Sequence, residues 1–285
     1  MPLSVISGAT SWSGKDLSLF HGFQSDLYSG NLLLSSDGAA ITITGSDPKA
    51  AGALIIPETI NNLPVTSVGA SAFIGCSGLT SVTIPSSVTS IGASAFYECS
   101  GLTSVILPSS VKSIGASAFY GCNGLTSVIL PNSVISIGAS AFSGCSGLTS
   151  VTLPSSIPLI SESAFQGCSE LTSVTIPSSV IYIGDNAFQG CYKLTAAYFS
   201  GNAPFVGLDV LPLNNNATVY CFQGKAGWGA SFANLPTAIL APPVEPTTTL
   251  VLQATTDLTN PIWVPVATNG VVQSGPQQFY RLVTQ

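Results

Sequence analysis

Charged residues are nearly missing from this sequence. Asp, Glu, Lys and Arg make up 6% of its 285 residues, against about a quarter in a typical globular domain. Six cations face twelve carboxylates, for a net charge of −6. A chain this poor in Lys and Arg cannot build the basic footprint that nucleic acid requires, and nothing draws it to anionic lipid. Histidine occurs once, as His21, with no nucleophile beside it. No apolar run approaches the roughly 18 residues of a membrane-spanning helix, so membrane insertion is not expected. The start, MPLSVISGATSWSGKD, lacks the basic residues and continuous apolar stretch of a secretory leader. G-x-S-x-G, P-loop, H-E-x-x-H and dinucleotide fingerprints are all missing. These gaps predict a protein that is not an enzyme and holds no metal or cofactor.

What is there is repetition. The apolar share is an ordinary 46%, and Ser, Thr, Gly and Asn supply the polar surface. Leu79, Leu102, Leu125, Leu148, Leu171 and Leu194 recur every 23 residues. Phe73 to Phe188 and Cys76 to Cys191 form two further files with the same period and the same number of members, and Pro85 to Pro177 a file of five. A strict period in this range is the mark of a solenoid, in which one repeat is one coil.

One copy, LTSVTIPSSVTSIGASAFYECSG, predicts the coil. Val82 and Ile84 alternate with Ser81 and Thr83, which reads as a short strand over Leu79–Ile84. Pro85 has no N–H for a ladder and ends it. Val88–Ile91 reads as a second strand and Gly92 as a bend. Ala95, Phe96 and Cys99, spaced i, i+1, i+4, read as one helical turn with an inward face. A lone coil cannot bury these apolar groups; stacked coils can, each covering its neighbour. Strand spacing of about 4.8 Å makes the stack roughly 30 Å long.

The organisation read from the sequence is a segment with a capping hairpin at 1–50, a solenoid of six coils at 51–193, a cap at 194–240, a Pro-rich linker at 241–249 and a small β unit at 250–285. The hairpin is signalled by Asp37-Gly38 between NLLL and AAITITG. The first coil carries five extra residues around Asn61–Val65, read as a bulged turn. Trp228 and Phe232 are expected to cover the far end.

The repeat L-T-S-V-x-I/L-P-S-S-V-x-S-I-G-x-S-A-F-x-G-C resembles the BspA-like, or treponemal-type, leucine-rich repeat, over about residues 51–193. The resemblance implies a repeat solenoid of leucine-rich-repeat type, mostly β with short helical turns, capped at both ends and followed by the small C-terminal β unit. It also implies an extracellular or cell-surface protein that binds other macromolecules, as adhesion proteins do. The start, read without a leader, leaves a cytoplasmic location open beside it.

Four features invite a functional reading. The six-cysteine column has neither a C-x-x-C pair nor a nearby His, so it lacks zinc-site spacing and is expected to be six buried, reduced thiols acting as small hydrophobes; Cys221 is read as structural too. The Thr80–Thr195 file and the adjacent Ser81–Ser173 file form hydroxyl arrays, yet neighbours in a strand point to opposite faces, which argues against an ice-binding surface. After each Phe the copies disagree, with Ile74, Tyr97, Tyr120, Ser143, Gln166 and Gln189. Tyr97 and Tyr120 on adjacent coils are read as solvent-facing anchors for a partner. Tyr182, Tyr192 and Tyr198 are read as a second group near the other end. The function expected is a non-catalytic interaction module for a protein or glycan partner. The alternatives are a passive structural spacer, an ice-binding surface, or an enzyme whose site lies outside the repeats.

Overall fold

A computed structural model describes residues 18–19, 31–47, 49–212, 217–240, 250–255, 264–268 and 279–284. It falls into two units, residues 1–240 and 241–285. His21 and the Pro-rich stretch 241–249 lie outside the described residues.

The first unit is a β-solenoid of about eight turns. Over most of the array the first strand pairs in parallel with its counterpart one period away, as Leu79–Thr83 does with Ser104–Ile106, with breaks in the ladder after Ser104–Ile106 and after Ser150–Thr152. The second does likewise, Ser90–Ile91 beside Ser113–Ile114, with one break after Ser136–Ile137. Ladder partners one coil apart are therefore the same residue of successive copies, which is why the sequence repeats. Val82, Val88, Ile91, Phe96, Cys99 and Leu102 point into one continuous core. At the corners after Pro108, Pro131 and Pro154, a serine satisfies a carbonyl one coil back: Ser110 Oγ donates to the Val88 carbonyl at 2.6 Å, Ser133 Oγ to that of Val111 at 2.8 Å and Ser156 Oγ to that of Val134 at 2.6 Å.

The segment read as a helical turn is not one, and no helix occurs among the described residues. Ser94 and Glu98 both adopt left-handed backbone, with φ of 54° and 55°, which an α-helix does not admit. The amides there alternate. Those of Ser94, Phe96 and Glu98 donate to the next coil's Ala116, Ala118 and Tyr120 carbonyls at 2.7–2.8 Å, while those of Ala95, Tyr97 and Cys99 close turns within the coil. The segment is thus a third ladder. Gly92 does not adopt positive φ; it is required because the chains touch, as a Cβ there would meet the Ala70 nitrogen at 2.5 Å.

The insertion in the first coil is a β-hairpin rather than a bulged turn. Thr59–Ile60 pairs antiparallel with Leu63–Val68, and Asn61 and Asn62 both take positive φ, the requirement of a tight two-residue hairpin. At the front, Asn31–Ser36 and Ile41–Asp47 form an antiparallel hairpin that joins the stack in parallel through Leu63–Val68. Asp37 Oδ1 accepts from the Ala39 and Ala40 amides at 2.9 and 2.8 Å, which holds its carboxyl below the usual range.

Parallel pairing continues past Lys193, from Ser173–Ile176 through Ala196–Phe199 and Thr218–Phe222 to Leu235–Leu240. Residues 194–240 therefore extend the stack as well as closing it. Trp228 and Phe232 pack edge-on against Phe199, with ring centroids 5.0 and 5.2 Å away, over the end of the core. The second unit, by itself, is a three-stranded antiparallel sheet with Leu250–Thr255 between Val264–Thr268 and Phe279–Thr284.

Candidate binding surfaces

Each coil presents three faces: the first strand, the second strand and the turn. On the first-strand face, Ser81, Ser104, Ser127, Ser150 and Ser173 line up beside Thr83, Ile106, Ile129, Thr152 and Thr175. Ile106 and Ile129 are 62% and 72% exposed. The Thr and Ser files that alternation set on opposite faces are both exposed over most of the array, because in most coils the strand begins at the Ser and the Thr stands at the corner before it. Thr hydroxyls there bond along the stack, Thr103 Oγ1 to the Thr80 carbonyl and Thr149 Oγ1 to that of Thr126, each at 3.0 Å.

The turn face carries the Tyr97 and Tyr120 rings. Their centroids are 4.8 Å apart and the planes 5° from parallel. Neither is fully solvent-facing as the sequence implied; both are half-buried, because each ring covers the other's face across the coil spacing. Partial burial and the adjacent Glu98 carboxylate push the Tyr97 phenol up. Further along this face Gln166 Nε2 donates to Gln189 Oε1 at 2.7 Å, and Tyr192 stands 63% exposed.

Tyr182, Tyr192 and Tyr198 do not form a group. Tyr182 lies on the second strand, Tyr198 on the first and Tyr192 on the turn. Tyr198 stacks on Tyr220 instead, at 5.0 Å.

The second-strand face holds a feature that the tyrosines alone do not reveal. Leu159, Tyr182 and Phe205 occupy one register position on successive coils. Ile135 and Ile181 hold the position just before, two coils apart. With Val206 and Leu208 they form an exposed apolar surface, in which Ile181 is 66% and Phe205 82% exposed. The signal was present as arithmetic, since Leu159, Tyr182 and Phe205 keep the 23-residue period.

The cysteine column is internal. All six thiols are buried and unbridged, as is Cys221. They are not merely apolar filler: Cys99, Cys122, Cys145, Cys168 and Cys191 each donate Sγ–H to the Phe carbonyl of the preceding coil at 3.1–3.3 Å. Burial pushes Cys99 and Cys145 up to about 12 and Cys122 higher still. Cys168 is raised by its contact with the Cys191 thiol as well as by burial. Such thiols stay protonated and unreactive. Thiol titration of the native protein is therefore expected to find the column reduced and slow to label, even near pH 9 where ordinary thiols ionise; denaturant should release it at once. Rapid native labelling would remove the column from the core. Among the described residues, no group of three His, Cys, Asp or Glu side chains is placed to hold a metal, and no helix is long and apolar enough to cross a membrane.

Parallel strand files, an inward Leu–Phe–Cys column and a 23-residue period define a solenoid of the leucine-rich-repeat class. The chain belongs to the BspA-type leucine-rich-repeat family, whose repeat region matches in six copies over residues 66–195. A crystal structure of a leucine-rich-repeat protein from T. pallidum is 32% identical, with a TM-score of 0.55, covering 74% of this chain and 89% of that one. A leucine-rich cell surface protein from Faecalibacterium prausnitzii A2-165 is 25% identical, with a TM-score of 0.50, covering 80% and 78%. No curated protein sequence matches.

Proposed function

We propose that the chain is a non-catalytic interaction module of a surface or secreted protein, contacting a protein or glycan partner. Family membership supports the general reading, since such repeats are generally non-enzymatic surface modules. The observation that carries it is the distribution of departures from the repeat. A passive spacer predicts exposed substitutions scattered over all faces. Here Ile135, Leu159, Ile181, Tyr182, Phe205 and Val206 gather on the second-strand face, the largest such set among the described residues; exposed apolar side chains stand also at Ile55, Ile106, Ile129, Tyr198 and Ile239 on the first-strand face and at Ile74 and Tyr192 on the turns. Contiguous exposed apolar surface of this kind marks interaction sites, and partners are anchored through a few such residues.

Of the tyrosines picked from the sequence, Tyr182 belongs to this patch, while Tyr97, Tyr120, Tyr192 and Tyr198 serve other faces. The test is surface-immobilised binding against a panel of extracellular matrix proteins and cell-surface glycans. Phe205→Ser with Ile181→Ser should fold normally, because both side chains are exposed, and should weaken capture of a protein partner by about 2 kcal/mol or more. Binding that is equal in the wild type and the folded double variant excludes the patch. No binding to any member of the panel would favour the spacer.

A further inference from the structure

We propose that the turn face binds a linear, uncharged oligosaccharide lying along the solenoid axis. This rests on the interaction-module reading and names a ligand class for one of its faces. The face carries a trough in two stretches. One, of about 630 Å³, is lined by Lys49, Glu98, Ser100, Tyr120 and Asn123 among others. The next, of about 710 Å³, is lined by Gln166, Ser169, Gln189, Tyr192 and Asp209 among others. Glycines form the floor at every coil of this file but one, where Glu98 stands. A Cβ on Gly167 would lie 3.7 Å from the Gly144 Cα, so no side chain separates the two stretches where they meet.

The lining matches the chemistry of a neutral sugar chain. Hydroxyls, amides and phenols dominate it, each able to donate and accept, as sugar hydroxyls do. The bond between Gln166 Nε2 and Gln189 Oε1 fixes both amides and leaves Gln166 Oε1 and Gln189 Nε2 for a ligand. The exposed Tyr192 ring offers a flat apolar surface to the C–H face of a sugar ring. Among the described residues the lining holds a single cation, Lys49, which argues against nucleic acid as the occupant. Among the described residues, Leu211 and Pro212 are the only aliphatic side chains in the lining, too little for the buried apolar centre of a protein interface.

Glu98 adds an independent observation. The other five copies have glycine at this place, Gly75, Gly121, Gly144, Gly167 and Gly190, all at positive φ. Glu98 holds the same left-handed conformation, φ 55°, without glycine's freedom. Left-handed backbone by itself is common here, as at Ser71, Ser94, Ser117, Ser140 and Ser163; what sets Glu98 apart is a charged side chain in a file of glycines. The carboxylate, beside the Tyr97 phenol and Gly121, is a two-oxygen acceptor for neighbouring hydroxyls of one sugar.

The experiment is calorimetric titration of the full chain with cello-, malto-, laminari- and chito-oligosaccharides, alongside an extended uncharged peptide. Saturable binding to at least one neutral oligosaccharide is expected. Glu98→Gly, which restores the residue of the other copies, should raise the melting temperature and yet weaken binding about tenfold. A merely structural glutamate would not separate the two readouts. Gln189→Ala with Tyr192→Ala should weaken binding similarly with an unchanged circular dichroism spectrum, and Phe205→Ser should have no effect. The proposal is overturned if none of the sugars binds, if bound sugar is indifferent to both variants, or if only the peptide occupies the trough. Failure here beside intact, Phe205-sensitive capture of a protein would leave the module reading standing; loss of both would remove it.

Discussion

Phe119→Ala is expected to destabilise the fold by about 3–5 kcal/mol. The Phe119 side chain is fully buried. Its ring lies between those of Phe96 and Phe142, each 5.2 Å away and within 8° of parallel. Truncation removes contacts to the coils on both sides and leaves a void that the backbone ladders prevent from collapsing, since the Phe119 amide is tied to the Ala141 carbonyl at 2.8 Å. Phe188→Ala should cost less. Phe188 has a phenylalanine ring on one side, Phe165 at 5.4 Å, and beyond it the softer Val210–Leu211 coil near the end of the stack. Urea denaturation of the two variants is the measurement. Wild-type stability in Phe119→Ala would take the column out of the core.

Gly138→Ala should be comparably severe, at about 3 kcal/mol or more, near the upper end for overpacking. Its Cβ would fall 2.4 Å from the Ala116 nitrogen and 2.6 Å from the Gly115 carbonyl carbon. Those atoms are backbone held in the ladder, so neither can yield without separating two coils. Gly144→Ala makes the informative comparison. It meets nothing nearer than 3.6 Å, and its difficulty is conformational, a φ of +72° that an L-residue adopts at a cost of about 1–2 kcal/mol. Two glycine files of one period thus serve different ends, close approach in one and left-handed backbone in the other. Equal stability losses in the two variants would contradict this division.

The core was legible because a buried position in a stack must suit the same position one coil away. That is why Leu102, Phe119 and Cys145 stand out from period alone. The turn was misread because the spacing of Ala95, Phe96 and Cys99 suits any compact turn with one inward side, and Ser94 carries no sign of its left-handed backbone. Only Gly75, Gly121, Gly144, Gly167 and Gly190, aligned with Glu98, hint at it. Thr103 was sent to the wrong face because alternation holds within a strand, whereas Thr103 precedes the strand Ser104–Ile106. On the surface no such constraint operates, so each coil varies on its own. Tyr97 and Tyr120 looked exposed because nothing in the sequence tells that two rings one coil apart will cover each other. Phe205 was passed over because the Leu and Phe files that mark a copy decay after Leu194, although the second strand keeps the register.

The inter-coil bonds, such as those from the Phe96 amide to Ala118 and from the Cys122 thiol to Phe96, run along the stacking direction. Tension between the first coil and the last would therefore pull along these bonds, and the end coil, supported from one side only, would give way first. Each failure frees one 23-residue coil, roughly 80 Å of extended chain, and presents the next coil as the new end. Such an array lengthens stepwise under modest load instead of breaking at once, so it would act as a shock absorber between whatever is attached to its two ends.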